Sequence, residues 1–403
     1  MVSPIAASVV YLLLTRYAAA IAAPSKSIHD NKPEISCSQF IVPITASADN
    51  YIVKDPVRVD SNIDAVNYAW DYDTWSHGRY NQSRIASVNP VKGTYNISVQ
   101  LCVPSEARGT GQTLQIVTHG LLFDKRYWDS EYEPENYSYV RAAVGAGYSV
   151  LTWDRLGTGQ SDKPDAYDVV QAPLELEILH GITILARSGQ LSKMAQTSFS
   201  APLPAIKKYI HIGHSFGTIL TLAFLVKYPT LSDGAIATGQ ILSPHGGAAT
   251  QASFGWQYAH QHDPKLYADY GSGYIVPGTE SDIQQGFFSV VDGLMDPKAL
   301  SYANSIKNPA TVGEFHSILL SVGLPAPNYT APLQFFLAEY DYLTCGGDCK
   351  NAYNLTQLKQ SLYPQAAALE AYIQPGTGHG LTLHKNATAG YQVMFDFLKR
   401  HQL

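Results

Sequence analysis

Charge is scarce in this chain of 403 residues. Lys and Arg number 27 against 33 Asp and Glu, 15% of the sequence in all, with a formal net charge of −6. No Lys/Arg-rich run occurs, which excludes the electrostatic footprint of a nucleic-acid partner. Beyond the N-terminus no apolar stretch approaches the ~20 residues that a bilayer demands, so no membrane span is expected. The four cysteines form no CxxC pair, and the histidines show no metal-ligand spacing, so neither a redox motif nor a metal or other cofactor is implied. Gly 31 and Pro 23 make no low-complexity excess, and 45% hydrophobic residues are ample for a large core, which excludes disorder and collagen-like structure.

What the N-terminus does carry is an apolar run, Ile5 to Leu14, followed by Ala20-Ile21-Ala22 ahead of Ala23-Pro24. This is the pattern of a secretory signal peptide, expected over residues 1–22. An N-terminal anchor is the alternative, although the run is short for one. Cys37, Cys102, Cys345 and Cys349 form an even set. Cys345 and Cys349 are close enough to close a small loop, leaving Cys37 with Cys102, while three pairings stay open from sequence. Sequons at Asn81, Asn96, Asn136, Asn328, Asn354 and Asn386 also suit an exported glycoprotein, expected to be extracellular.

From about residue 90, short apolar runs alternate with helical patterns. Thr94 to Val103 alternates as an antiparallel strand. Leu114–Thr118, Tyr148–Trp153, Tyr209–Ile212, Ala235–Leu242, Leu333–Ala338 and Ala368–Ile373 read as buried parallel strands. Helices are expected at Pro173–Arg187, Thr218–Lys227 and Thr388–Arg400. The fold class is α/β: a mostly parallel sheet with helices on both faces. An N-terminal extension (23–90) is expected to pack on a core formed by 91–243 and 332–403. Between them, residues 244–331 lack strand signals. There Ile283, Phe287, Val290, Val291 and Leu294 recur at helical spacing, as do Phe315, Ile318, Leu319 and Val322, so a helical lid is expected above the strand ends.

Gly213-His214-Ser215-Phe216-Gly217 lies between the run Tyr209–Ile212 and a helical stretch. A nucleophile leaving a sheet on a sharp turn needs small residues two positions to either side, so Ser215 is the candidate nucleophile. A second strand ends in His119-Gly120, and the loop after it can present the Leu121 N–H opposite the Phe216 N–H as an oxyanion hole. A third ends in Asp154-Arg155-Leu156-Gly157-Thr158-Gly159-Gln160-Ser161. Together these three motifs resemble the α/β-hydrolase superfamily, in particular its esterase-like members, over roughly Gly93 to the C-terminus.

The resemblance implies an acid after a late strand and a histidine after the last one. Asp341, after Leu333–Ala338, and His379, within Gly378-His379-Gly380, are the matching positions. Glu339 is the rival acid, and His384 reads as structural. Asp154, in the third motif, reads as structural too. The resemblance thus implies a secreted serine hydrolase acting on carboxylic esters or lactones, with a small-molecule substrate of apolar or aromatic lean. Acyl transfer, peptide hydrolysis or haloperoxidase-type chemistry at the same triad is the alternative, and a non-catalytic binding protein a further one.

Overall fold

The computed structural model describes residues 35–78, 84–104, 112–240, 253–318 and 321–403. The expected signal peptide (1–22), the sequon at Asn81 and the start of the expected lid at 244–252 lie outside them. Eight strands form the main sheet: β1 Ile35–Val53, β2 Ile85–Pro104, β3 Thr113–Thr118, β4 Ser149–Trp153, β5 Lys208–His214, β6 Gly234–Thr238, β10 Leu333–Ala338 and β11 Leu369–Gln374. Their order is β1-β2-β4-β3-β5-β6-β10-β11, and β2 alone runs against the rest. β3, β4 and β6 are buried along their whole length, which is why they read as unbroken apolar runs.

The N-terminal extension enters the sheet itself. β1 pairs with β2 from Ile35↔Pro104 to Ile52↔Ser87, which sets Cys37 opposite Cys102, and those two cysteines are disulfide-bonded. As the edge strand, β1 tolerates Pro43, because only one side of the strand must donate. The helix Ala172–Arg187 packs on it so closely that a Cβ on Gly181 would lie 2.6 Å from Ile44 Cγ2. A second helix, Asn62–Gly78, turns its Tyr68 and Tyr72 rings toward Phe315.

The insertion between β6 and β10, the cap, is more than helices. It holds a three-stranded antiparallel sheet of β7 Gln257–Tyr258, β8 Tyr274–Val276 and β9 Ala310–Thr311. Strands of two or three residues are too short for any alternation to show. Three of its helices are Glu280–Phe287, opened by a Thr279/Asp282 capping box, Pro297–Ser305 and Val312–Ile318. The helical spacing read through Val290, Val291 and Leu294 does not hold: the helix stops at Phe287, and Val290 is 88% exposed.

Candidate active site

Ser215 sits between the end of β5 and the helix Phe216–Lys227, with φ 54° and ψ −117°. A positive φ is costly for a side-chain-bearing residue, so the surroundings must hold it there. The Ser215 N–H donates to Thr238 O at 2.9 Å, and its carbonyl accepts from Thr218 N–H at 2.9 Å. The two flanking glycines are required sterically. A Cβ on Gly213 would run into the Gly217 carbonyl, and one on Gly217 would lie 2.6 Å from His119 O.

Asp341 and His379 follow the carboxyl ends of two neighbouring parallel strands, β10 and β11, and meet there. Asp341 follows β10 and caps the short helix Tyr342–Cys345, where its Oδ1 accepts from Thr344 N–H at 2.9 Å. Its Oδ2 accepts from His379 Nδ1–H at 2.7 Å, and both residues are almost wholly buried. A carboxylate on Nδ1 leaves Nε2 as the basic nitrogen. That Nε2 is buried without a hydrogen-bond partner among the described residues. The His379 ring stands beside that of His214, the residue before Ser215, with 4.8 Å between centroids. No hydrogen bond joins Nε2 to Ser215 Oγ in this structure. Contacts of this kind often tighten when substrate binds.

The rival acid faces elsewhere. Glu339 Oε2 accepts from Gly376 N–H at 2.8 Å and its Oε1 pairs with Lys350 at 3.2 Å, so it shapes the turn after β11. Cys345 and Cys349, with Cα atoms 5.5 Å apart, are disulfide-bonded and close the loop immediately after Asp341. Asp154 is likewise structural: its carboxylate takes Lys125 Nζ at 2.6 Å and the Lys125 N–H at 3.0 Å.

Phe216 follows Ser215 in the chain, and Leu121 follows Gly120, which packs on the elbow. Among the described residues neither N–H has an acceptor, and Phe216, as the first residue of its helix, has none within the helix. Gly120 packs so tightly on the elbow that a Cβ there would lie 2.9 Å from Ser215 Cβ. Two unpaired N–H groups beside a serine are what an oxyanion hole requires.

Buried histidines frame the site. His214 donates Nδ1–H to Thr238 Oγ1, which itself donates to Gly213 O, and its ring stacks on Tyr127 at 4.4 Å. Burial, then the neighbouring His379 and His119, holds its pKa far below the usual histidine value. His384 accepts at Nε2 from the N–H groups of Gly378 (3.1 Å) and Ser289 (3.0 Å) and donates Nδ1–H to Gly380 O (2.9 Å). It ties the His379 loop to the cap, a positioning role that its sequence neighbourhood did not show. The cap also supplies Phe287, whose ring lies 5.4 Å from His379 and edge-on to Phe123 at 4.9 Å.

Of the described sequons, Asn96, Asn136, Asn328 and Asn354 are exposed. Asn386 differs, because its Nδ2 donates to Pro375 O and Thr377 Oγ1 at 2.9 Å each, and a glycan, which replaces one of the two hydrogens, would remove at least one of these bonds.

A family model described as the alpha/beta hydrolase family matches residues 116–389, more than half of the chain. No curated protein matches it. Solved structures similar to it include a thermophilic esterase from Thermogutta terrifontis, at 14% identity and a TM-score of 0.47, covering 77% of this chain and 95% of that one. A proline iminopeptidase from Mycobacterium smegmatis is similar at 17% identity and a TM-score of 0.44, with 76% and 95% covered. A bromoperoxidase from Bacillus anthracis is similar at 16% and 0.44, with 76% and 96% covered.

Proposed function

The chain belongs to the alpha/beta hydrolase family, and we propose that it hydrolyses carboxylic esters or lactones through an acyl-enzyme on Ser215. The observation that carries this reading is the buried Asp341–His379 pair: its Nε2 has no partner among the described residues, and its ring lies 4.8 Å from that of His214 in the strained serine elbow. His379 takes the Ser215 proton as Oγ attacks the acyl carbonyl, and Asp341 stabilises the imidazolium that results. The Leu121 and Phe216 N–H groups receive the negative oxygen of the tetrahedral intermediate. His379 then protonates the leaving alcohol and activates the water that releases the acid.

The Phe287 ring beside His379, with the Phe123 ring packed edge-on against it, favours an apolar or aromatic group on the substrate. Export to the extracellular space belongs to the same proposal. It is supported by the pairing of all four cysteines and the exposure of four sequons.

A substrate panel tests the reaction class. It comprises p-nitrophenyl esters from acetate to palmitate, aryl esters, lactones, a prolyl p-nitroanilide, and bromide with hydrogen peroxide. Ester or lactone turnover at least about 100-fold above the other two is expected, a margin of about 2.7 kcal/mol. Faster anilide cleavage or bromination would overturn it.

A further inference from the structure

A peptide unit is planar, so whatever holds its carbonyl also aims its N–H. The Gly120 carbonyl shares a peptide unit with the Leu121 N–H, and two donors hold it. His119 Nδ1–H lies 2.8 Å from Gly120 O, and Arg155 Nη2 lies 3.4 Å from it. The Arg155 backbone N–H also donates to His119 Nε2 at 3.0 Å, which fixes the imidazole as the tautomer with its proton on Nδ1. The Arg155 guanidinium carbon stands 4.4 Å over the Phe216 ring. One arginine thus touches the carbonyl of the peptide unit that carries the Leu121 N–H and the ring of the residue that carries the other.

Arg155 is itself held from two sides. Its Nη1 donates to Glu175 Oε2 at 2.7 Å, from the helix Ala172–Arg187, and to Glu314 Oε1 at 2.5 Å, from the cap helix Val312–Ile318. Glu314 Oε2 accepts the Thr311 N–H at 2.7 Å, so the cap backbone fixes that carboxylate. All three side chains are sealed from water. Burial, with Glu314 close by, pushes the Glu175 carboxyl well above the usual carboxylate range.

We propose that Arg155 is a positioning residue that aims the Leu121 N–H into the oxyanion hole, and that Glu314 makes this aim depend on the seating of the cap. The proposal rests on the reading of Ser215 as nucleophile.

Three variants test it. R155K keeps a positive charge among the carboxylates but loses the planar fork that reaches Gly120 O. R155M/E175Q/E314Q removes the charges as a set, so none is left buried alone. E314Q weakens only the hold from the cap. Each is compared with wild type for thermal midpoint, for kcat and KM on p-nitrophenyl acetate, and for inhibition by a trifluoromethyl ketone. Such a ketone adds Ser215 Oγ to its carbonyl carbon and places an oxyanion in the hole. In folded R155K or the triple variant, kcat should fall about 10- to 100-fold, somewhat less than loss of a whole donor. KM should stay within about threefold, and the ketone should weaken by the same factor as kcat. E314Q should show a smaller loss of the same kind.

A folded variant with wild-type kcat and ketone affinity would overturn the proposal, as would a loss confined to KM. Failure of both arginine variants to fold would assign Arg155 to the fold and overturn it as well. If wild type itself forms no ketone adduct at Ser215, it is the functional reading that fails.

Discussion

His384 accepts the Gly378 N–H at 3.1 Å, one residue before the proposed base, and the Ser289 N–H of the cap at 3.0 Å. A single imidazole thereby sets the His379 loop and ties it to the segment above. His384→Ala leaves two buried N–H groups unpaired and should cost about 3 kcal/mol of stability. It should lower kcat by about tenfold or more, because a displacement of about 1 Å at the base is costly. Denaturant unfolding and steady-state assays check the two effects separately. An unchanged kcat in the folded variant would remove His384 from the site.

The two neighbouring acids should separate cleanly. Asp341→Asn keeps the shape but no longer favours the imidazolium, and should lower kcat by roughly 10³–10⁴. Glu339→Gln still offers an oxygen to the Gly376 N–H, and should change kcat by less than about threefold while costing up to about 1 kcal/mol. Comparable losses in both variants would undo the choice of Asp341.

Glycine at position 120 is a steric requirement. A Cβ there would lie 2.9 Å from Ser215 Cβ and 3.1 Å from His214 O, so either the loop or the elbow must shift. Gly120→Ala should fold and lose about 10²-fold or more in kcat, through displacement of the Leu121 N–H. An alanine variant with wild-type kcat would mean that this loop contributes no donor.

Acid should weaken the fold through its buried histidine rings, His119 and His384 among them. Burial holds His119 at about 3 and His384 at about 4, with Arg155 adding to the effect on His119. In both, Nε2 already accepts a backbone N–H and cannot take a proton without losing that bond. The unfolded chain binds these protons near pH 6.5 and the folded chain does not. Their stabilisation is therefore whole above about pH 6.5 and is lost as pH falls toward 4. The slope is about 1.4 kcal/mol per pH unit for each ring at most. Urea unfolding at pH 7.5, 6 and 4.5 should show a falling midpoint, and a flat profile would contradict it.

The sequence showed what is local. Strand, elbow and helix around Ser215 are contiguous, and β10 begins and ends where its apolar run does. The loops carrying Asp341 and His379 follow their strands directly, so resemblance sufficed to pick them out. β1 stayed hidden because Ser38 and Asn50 occupy buried positions and Pro43 interrupts it, which breaks the apolar alternation. The cap sheet stayed hidden because its strands are shorter than one period of any pattern. Arg155 and His384 looked inert because their partners, Glu175 and Glu314 for one and Ser289 for the other, come from distant stretches that only the fold brings together.

The account stands on Ser215 being an activated nucleophile. Incubating the full-length protein with a fluorophosphonate and mapping the adduct by peptide mass spectrometry measures that directly. One phosphonyl group per chain, located on Ser215, absent from Ser215→Ala and slowed about 10³-fold or more in His379→Ala, is the predicted result. An unlabelled wild type, or an adduct on another residue that persists in Ser215→Ala, would contradict it.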